Sequence, residues 1–92
     1  MEGFSLSNKR KLLEQILSGG SDTNIPFTGL CNLITALGFR ERVKGSHHIY
    51  SKTRVEEIIN LQSNGGKAKP YQVKQVRALI VKYQLGGLLD DK

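Results

Sequence analysis

The sequence predicts an α+β fold: a small three-stranded antiparallel sheet with helices laid on one face, in the order α-α-β-β-β-α. Three observations predict it. Apolar residues recur at helical spacing in residues 7–18, 27–37 and 70–83. From Phe39 the period shortens to two, with Phe39, Glu41 and Val43 alternating with Arg40, Arg42 and Lys44. Glycine and proline punctuate the joins between these segments.

Ser7 is placed to cap a first helix running to about Ser18, with Leu12, Leu13, Ile16 and Leu17 as its apolar face. Gly19-Gly20-Ser21-Asp22-Thr23-Asn24 reads as a flexible connection. A second helix starts between Pro26 and Thr28, because proline suits a first turn. Its stripe is Phe27, Leu30, Ile34 and Leu37, with Cys31 and Leu33 beside it, and Gly38 stops it. Cys31 is therefore expected as a core thiol. Strands follow at 39–44, 46–51 and 55–62, turned at Lys44-Gly45 and Lys52-Thr53. A loop at 63–69 leads to Pro70, which opens a last helix with Val73, Val76, Leu79, Ile80 and Tyr83 inward. Leu85-Gly86-Gly87 ends that helix, and the tail from Leu88 to Lys92 is expected to fray.

Length and charge bound the function. Ninety-two residues make one domain, with one modest core and room for a shallow groove rather than an enclosed cavity. The single cysteine forms no internal disulfide, Met1 to Ser5 contain no apolar leader, and no apolar run approaches the ~18 residues of a membrane helix. A cytoplasmic protein without a membrane partner is expected. The net charge is +6. No acid lies between Ile58 and Leu89, a span that carries Lys67, Lys69, Lys74, Arg77 and Lys82. A second basic group, Arg40, Arg42, Lys44, Lys52 and Arg54, surrounds the only two histidines, and the two groups are expected to face one polyanion.

The stretch best suited to chemistry is Lys44-Gly45-Ser46-His47-His48-Ile49-Tyr50. Histidine exchanges protons near neutral pH, and a glycine turn lets a phosphate approach the backbone closely. Strand alternation places His47 and His48 on opposite faces, so they serve different surroundings. Alternation alone does not say which face is which. Two histidines so divided and a buried cysteine do not form a ligand set, so neither a metal nor any other cofactor is expected. Cleavage of RNA needs neither. The 2′-hydroxyl is the nucleophile, and the protein has to move protons and stabilise the crowded phosphorane.

Leu37-Gly38-Phe39, then Arg42-x-Lys44-Gly45-Ser46-His47-His48-Ile49-Tyr50, then Lys69-Pro70 opening a helix, resembles the HicA family over about residues 27–85. These are small bacterial toxins of type II toxin–antitoxin pairs. The resemblance implies a double-stranded-RNA-binding-domain-like fold, metal-independent cleavage of mRNA, and neutralisation by a HicB-like antitoxin. It selects His47, directly after Gly-Ser, as the catalytic histidine. Lys44, Arg42, Lys52 and Lys69 are then the expected phosphate contacts, in that order. Gly45 shapes the turn, Ser46 is a turn hydroxyl or a phosphate contact, and Tyr50 is core or a stacking platform. His48 is left as a packed or partly exposed strand residue. The chain departs from the family in two places. Asn60-Leu61-Gln62 stands where members often have Pro-x-His, and the helix at 7–18 is additional to the shortest members. A non-catalytic RNA-binding module of the same fold, or a protein-interaction subunit with a basic face, are the alternatives.

Overall fold

A computed structural model describes residues 6–89. It contains α1 (Leu6–Ser18), α2 (Phe27–Ala36), β1 (Arg40–Lys44), β2 (His47–Lys52), β3 (Val55–Leu61) and α3 (Pro70–Tyr83), with 3₁₀ turns at Asp22–Asn24 and Leu85–Leu89. The chain is α+β, as the periodicities predict. The strands pair in the order β1-β2-β3, antiparallel throughout. In β1 and β2 the partners include Glu41 with Tyr50, Arg42 with Ile49, and Lys44 with His47. In β2 and β3 they include His48 with Leu61, Ile49 with Asn60, and Tyr50 with Ile59.

Because directly paired residues share a face, this register sorts the sheet. Tyr50, Ile59 and Leu61 are buried, so they mark the side covered by helices. Glu41, Val43 and His48 share that side through their partners. The other side carries Arg40, Arg42, Lys44, His47, Ile49 and Asn60, which are exposed or half-buried among the described residues.

The core joins Ile16 of α1, Leu30, Leu33 and Ile34 of α2, Tyr50 and Ile59 of the sheet, and Val73 and Val76 of α3. Each fully buried Leu or Ile contributes about 1.5–3 kcal/mol. The loop before α3 is tied to the chain entering α2: Ala68 donates its N–H to Ile25 at 2.9 Å, and Phe27 donates to Gly66 at 2.9 Å.

Several boundaries differ from expectation. α1 is already formed at Leu6, one residue ahead of Ser7, and Leu17 is exposed rather than part of the apolar face. The connection at 19–24 contains a 3₁₀ turn held through Asp22, which pairs with Arg77 at 2.9 Å. The hairpin turn is Gly45-Ser46, where Gly45 takes φ +61° with open space around it. The next turn is Thr53-Arg54, with Arg54 at φ 74°. The end of the chain is the clearest correction. Gln84 caps α3 in the left-handed conformation, and the 3₁₀ turn that follows buries Leu85 and Leu89. Leu88 is exposed, and Asp90 to Lys92 lie outside the described residues.

Candidate functional site

His47 opens β2 directly after the Gly45-Ser46 turn, and its side chain is exposed on the uncovered face. Its Nδ1 lies 3.0 Å from Asn60 Oδ1 on β3. An amide oxygen only accepts, so Nδ1 carries the hydrogen in this contact, and in the neutral ring the lone pair is on Nε2. Ser46 Oγ accepts a hydrogen bond from Gln62 Nε2 at 2.8 Å, fastening the turn to the residue after β3. Asn60 and Gln62 thus hold the His47 segment from the adjacent strand. Sequence reasoning missed both. The available signal was two amides, Asn60 and Gln62, two residues apart at the end of the third strand segment.

Along the same face runs a shallow groove of about 440 Å³, lined by Arg40, Glu41, Arg42, Ile49, Ser51 and Ile58. Its register pairs, Arg40 with Ser51 and Arg42 with Ile49, lead to Lys44 with His47. The face therefore presents three cations from one strand and an apolar floor beside a histidine.

The remaining expected contacts fall elsewhere. Lys52 is on the helix side of β2, and a Cβ placed on Gly38 would meet its Nζ at 2.6 Å. Gly38 is at φ +100°, so the backbone there favours glycine, while the Lys52 amine is a mobile end that can move aside. Lys69 is the N-cap of α3, where its backbone N–H donates to Gln72 Oε1 at 3.3 Å. Three cations of the acid-free segment are engaged within the fold. Arg77 donates to Asp22 and to the Ile16 carbonyl, Lys82 pairs with Glu57 at 2.7 Å, and Lys67 donates to Asn24 at 2.8 Å. The Arg77 guanidinium lowers the pKa of Asp22, and Lys82 with Tyr83 brings Glu57 down to about 2. These cations fasten elements to one another.

His48 is on the opposite side of β2, as alternation predicts. Its Nδ1 donates to Glu41 Oε2 at 2.9 Å, and Tyr50 donates its hydroxyl to the same oxygen at 2.6 Å. Phe27 of α2 packs edge-on against the His48 ring, with centroids 5.1 Å apart. Tyr50 is fully buried, so it is core and not a stacking platform. The Tyr50 hydroxyl and His48 together lower the pKa of Glu41. Burial raises the Tyr50 phenol and the Cys31 thiol above their ordinary ranges. Ligand atoms of Cys31, Glu41 and His48 lie within 4.8 Å of one another. The sequence reading kept Cys31 apart from the histidines, because periodicity puts it in a core stripe and does not say which strand residues it meets.

Among the described residues no helix is long and apolar enough to cross a membrane. No family model, curated protein or solved structure matches the chain.

Proposed function

We propose that this protein is a metal-independent endoribonuclease of the HicA type, a toxin that cleaves mRNA and is restrained by a HicB-like antitoxin. The observation that carries the reading is the placement of His47: exposed, oriented by Asn60, and on the same uncovered face as Arg40, Arg42 and Lys44. With Nδ1–H directed to Asn60, Nε2 is the atom that takes the proton from an RNA 2′-hydroxyl; the 2′-oxygen bonds to phosphorus, the bond to the 5′-oxygen breaks, and that oxygen takes a proton from the protonated ring or from water. The attacked phosphate gathers charge as the phosphorane forms, and Lys44 and Arg42 are the cations to offset it. The sugar–phosphate backbone runs along β1, and the groove floor of Ile49 and Ile58 offers apolar contact to a base. The antitoxin is an acidic partner that covers this face. Lys52 and Lys69 take no part in phosphate binding in this arrangement.

The test is cleavage of a long single-stranded RNA by purified protein in EDTA, for wild type beside His47→Ala. Cleavage that disappears only in the variant supports the reading. Equal cleavage by both removes histidine catalysis. RNA binding without cleavage by wild type leaves a binding module. Absence of both leaves a protein-interaction subunit.

A further inference from the structure

We infer that Cys31, Glu41 and His48 form a zinc-binding site on the helix-covered side of the sheet, apart from the face that carries His47. Three elements deliver the ligands. Cys31 lies one turn beyond Phe27 in α2, so both point down onto the sheet. Glu41 comes from β1 and His48 from β2, as diagonal neighbours on one face. Their ligand atoms lie within 4.8 Å of one another. Tetrahedral zinc, with bonds of about 2.0–2.3 Å, needs ligand pairs roughly 3.4–3.7 Å apart. Glu41 Oε2 and His48 Nδ1 stand 2.9 Å apart, so the side chains have to adjust around the ion.

The chemistry of the set selects the ion. Thiolate, imidazole and carboxylate are the ligands zinc takes, whereas calcium and magnesium need oxygens only. One thiolate and one carboxylate balance the two positive charges, with the histidine neutral. The Cys31 thiol releases its proton to solvent as the sulfur–zinc bond forms, and His48 carries its one hydrogen on the ring nitrogen that does not bind the ion, giving up the hydrogen bond from Nδ1 to Glu41 if Nδ1 is the ligand. Glu41 and His48 are partly open to solvent, so a water completes the fourth position.

The surroundings are those of a supported site. Tyr50 is buried and donates to the Glu41 carboxylate at 2.6 Å, which fixes one ligand. Phe27 packs edge-on against His48 and fixes another. Zinc here would join α2 to both strands of the first hairpin. Its role is therefore structural, and it need not touch RNA.

The experiment is zinc titration of the chelator-stripped full chain, read by native mass spectrometry and calorimetry, with cobalt(II) as a spectroscopic probe. One zinc per chain is expected, with a thiolate-to-cobalt charge-transfer band and a rise in the melting temperature. Cys31→Ser removes the band. Cys31→Ser and His48→Ala each weaken zinc binding by more than the roughly tenfold to hundredfold that loss of a supporting partner costs, and Tyr50→Phe falls within that range. His47→Ala binds zinc as wild type does. Circular dichroism of the stripped variants checks that each is folded. No binding by folded wild type overturns the site, and so does binding that survives both Cys31→Ser and His48→Ala. RNA cleavage that persists in EDTA while the melting temperature falls separates this site from the His47 face.

Discussion

His47 and Asn60 face each other across β2 and β3, with Nδ1 and Oδ1 3.0 Å apart. Asn60 is paired directly with Ile49, so its contact with His47 is a diagonal one on the same face. The amide fixes which nitrogen is protonated, and it does so without adding a charge. His47→Ala should lose on the order of a hundred- to ten-thousand-fold in RNA cleavage rate, the usual worth of a positioned acid or base. It should melt near the wild-type temperature, because an exposed residue beside a turn packs little. Asn60→Ala should lose less activity and keep RNA affinity, because the ring loses the partner that orients it. Single-turnover rates across pH, beside binding isotherms, check both.

Lys44 and Lys82 should respond differently to RNA. Lys44 stands beside His47 with no acid paired to it in the strand register, whereas Lys82 is held by Glu57 at 2.7 Å. The log–log dependence of RNA affinity on salt should have a slope set by the phosphates neutralised. Lys44→Ala should lower that slope by about one contact, and Lys82→Ala should leave it unchanged. A slope lowered by Lys82→Ala and not by Lys44→Ala would place RNA on the helical layer and remove the uncovered face as the binding surface.

Much of this was legible beforehand, and the limits have physical causes. Alternation at 47–50 separates the two histidines, and the register confirms that separation. Alternation could not say which side the helices cover. That is decided by Tyr50, whose ring fills the core and whose hydroxyl finds Glu41. A tyrosine satisfies either face, so only packing resolves the choice. Charge counting grouped Arg77 and Lys82 with the cations near His47. Their acids, Asp22 and Glu57, are distant in sequence, and nothing local announces those pairings. Cys31 was legible as core from its helical stripe, but its neighbours come from strands, and only the fold brings them together.

Acid should loosen the join between β3 and α3. Glu57 is brought from an ordinary 4.5 down to about 2 by Lys82 first and Tyr83 second. A carboxyl depressed in the folded state adds stability that is fully present above its unfolded pKa. That stability is lost as pH falls through the folded value. The loss should therefore run from about pH 4.5 to about pH 2. Glu57→Gln should flatten that part of the stability curve and lower stability at neutral pH by the same amount, a modest one because the pair is partly exposed and salt-screened. Urea unfolding at a series of pH values, in low and high salt, provides the check. A variant with the wild-type acid slope would assign the loss to Asp22 and Glu41, whose pKa values are also lowered.

The last described turn should matter to stability far more than its position suggests. Leu85 and Leu89 are buried in the same core as Leu12, Leu13 and Ile16 of α1. Gly86 lies against Leu13, where an added Cβ would sit 3.6 Å from the leucine methyl. The segment thus closes the open side of α1 and continues α3 past its left-handed cap at Gln84. A frayed tail would lose nothing when cut. Leu89→Ala, by contrast, should cost about 2–5 kcal/mol, the range for a buried leucine truncated to alanine. Leu88→Ala should be nearly silent, because that side chain is half exposed. For a domain of this size, that cost at Leu89 corresponds to a melting temperature lower by about 8 °C or more, at about 4–8 °C per kcal/mol. Thermal unfolding of the two variants side by side decides the point. Equal melting temperatures would mean that the terminal turn does not hold α1 to the core.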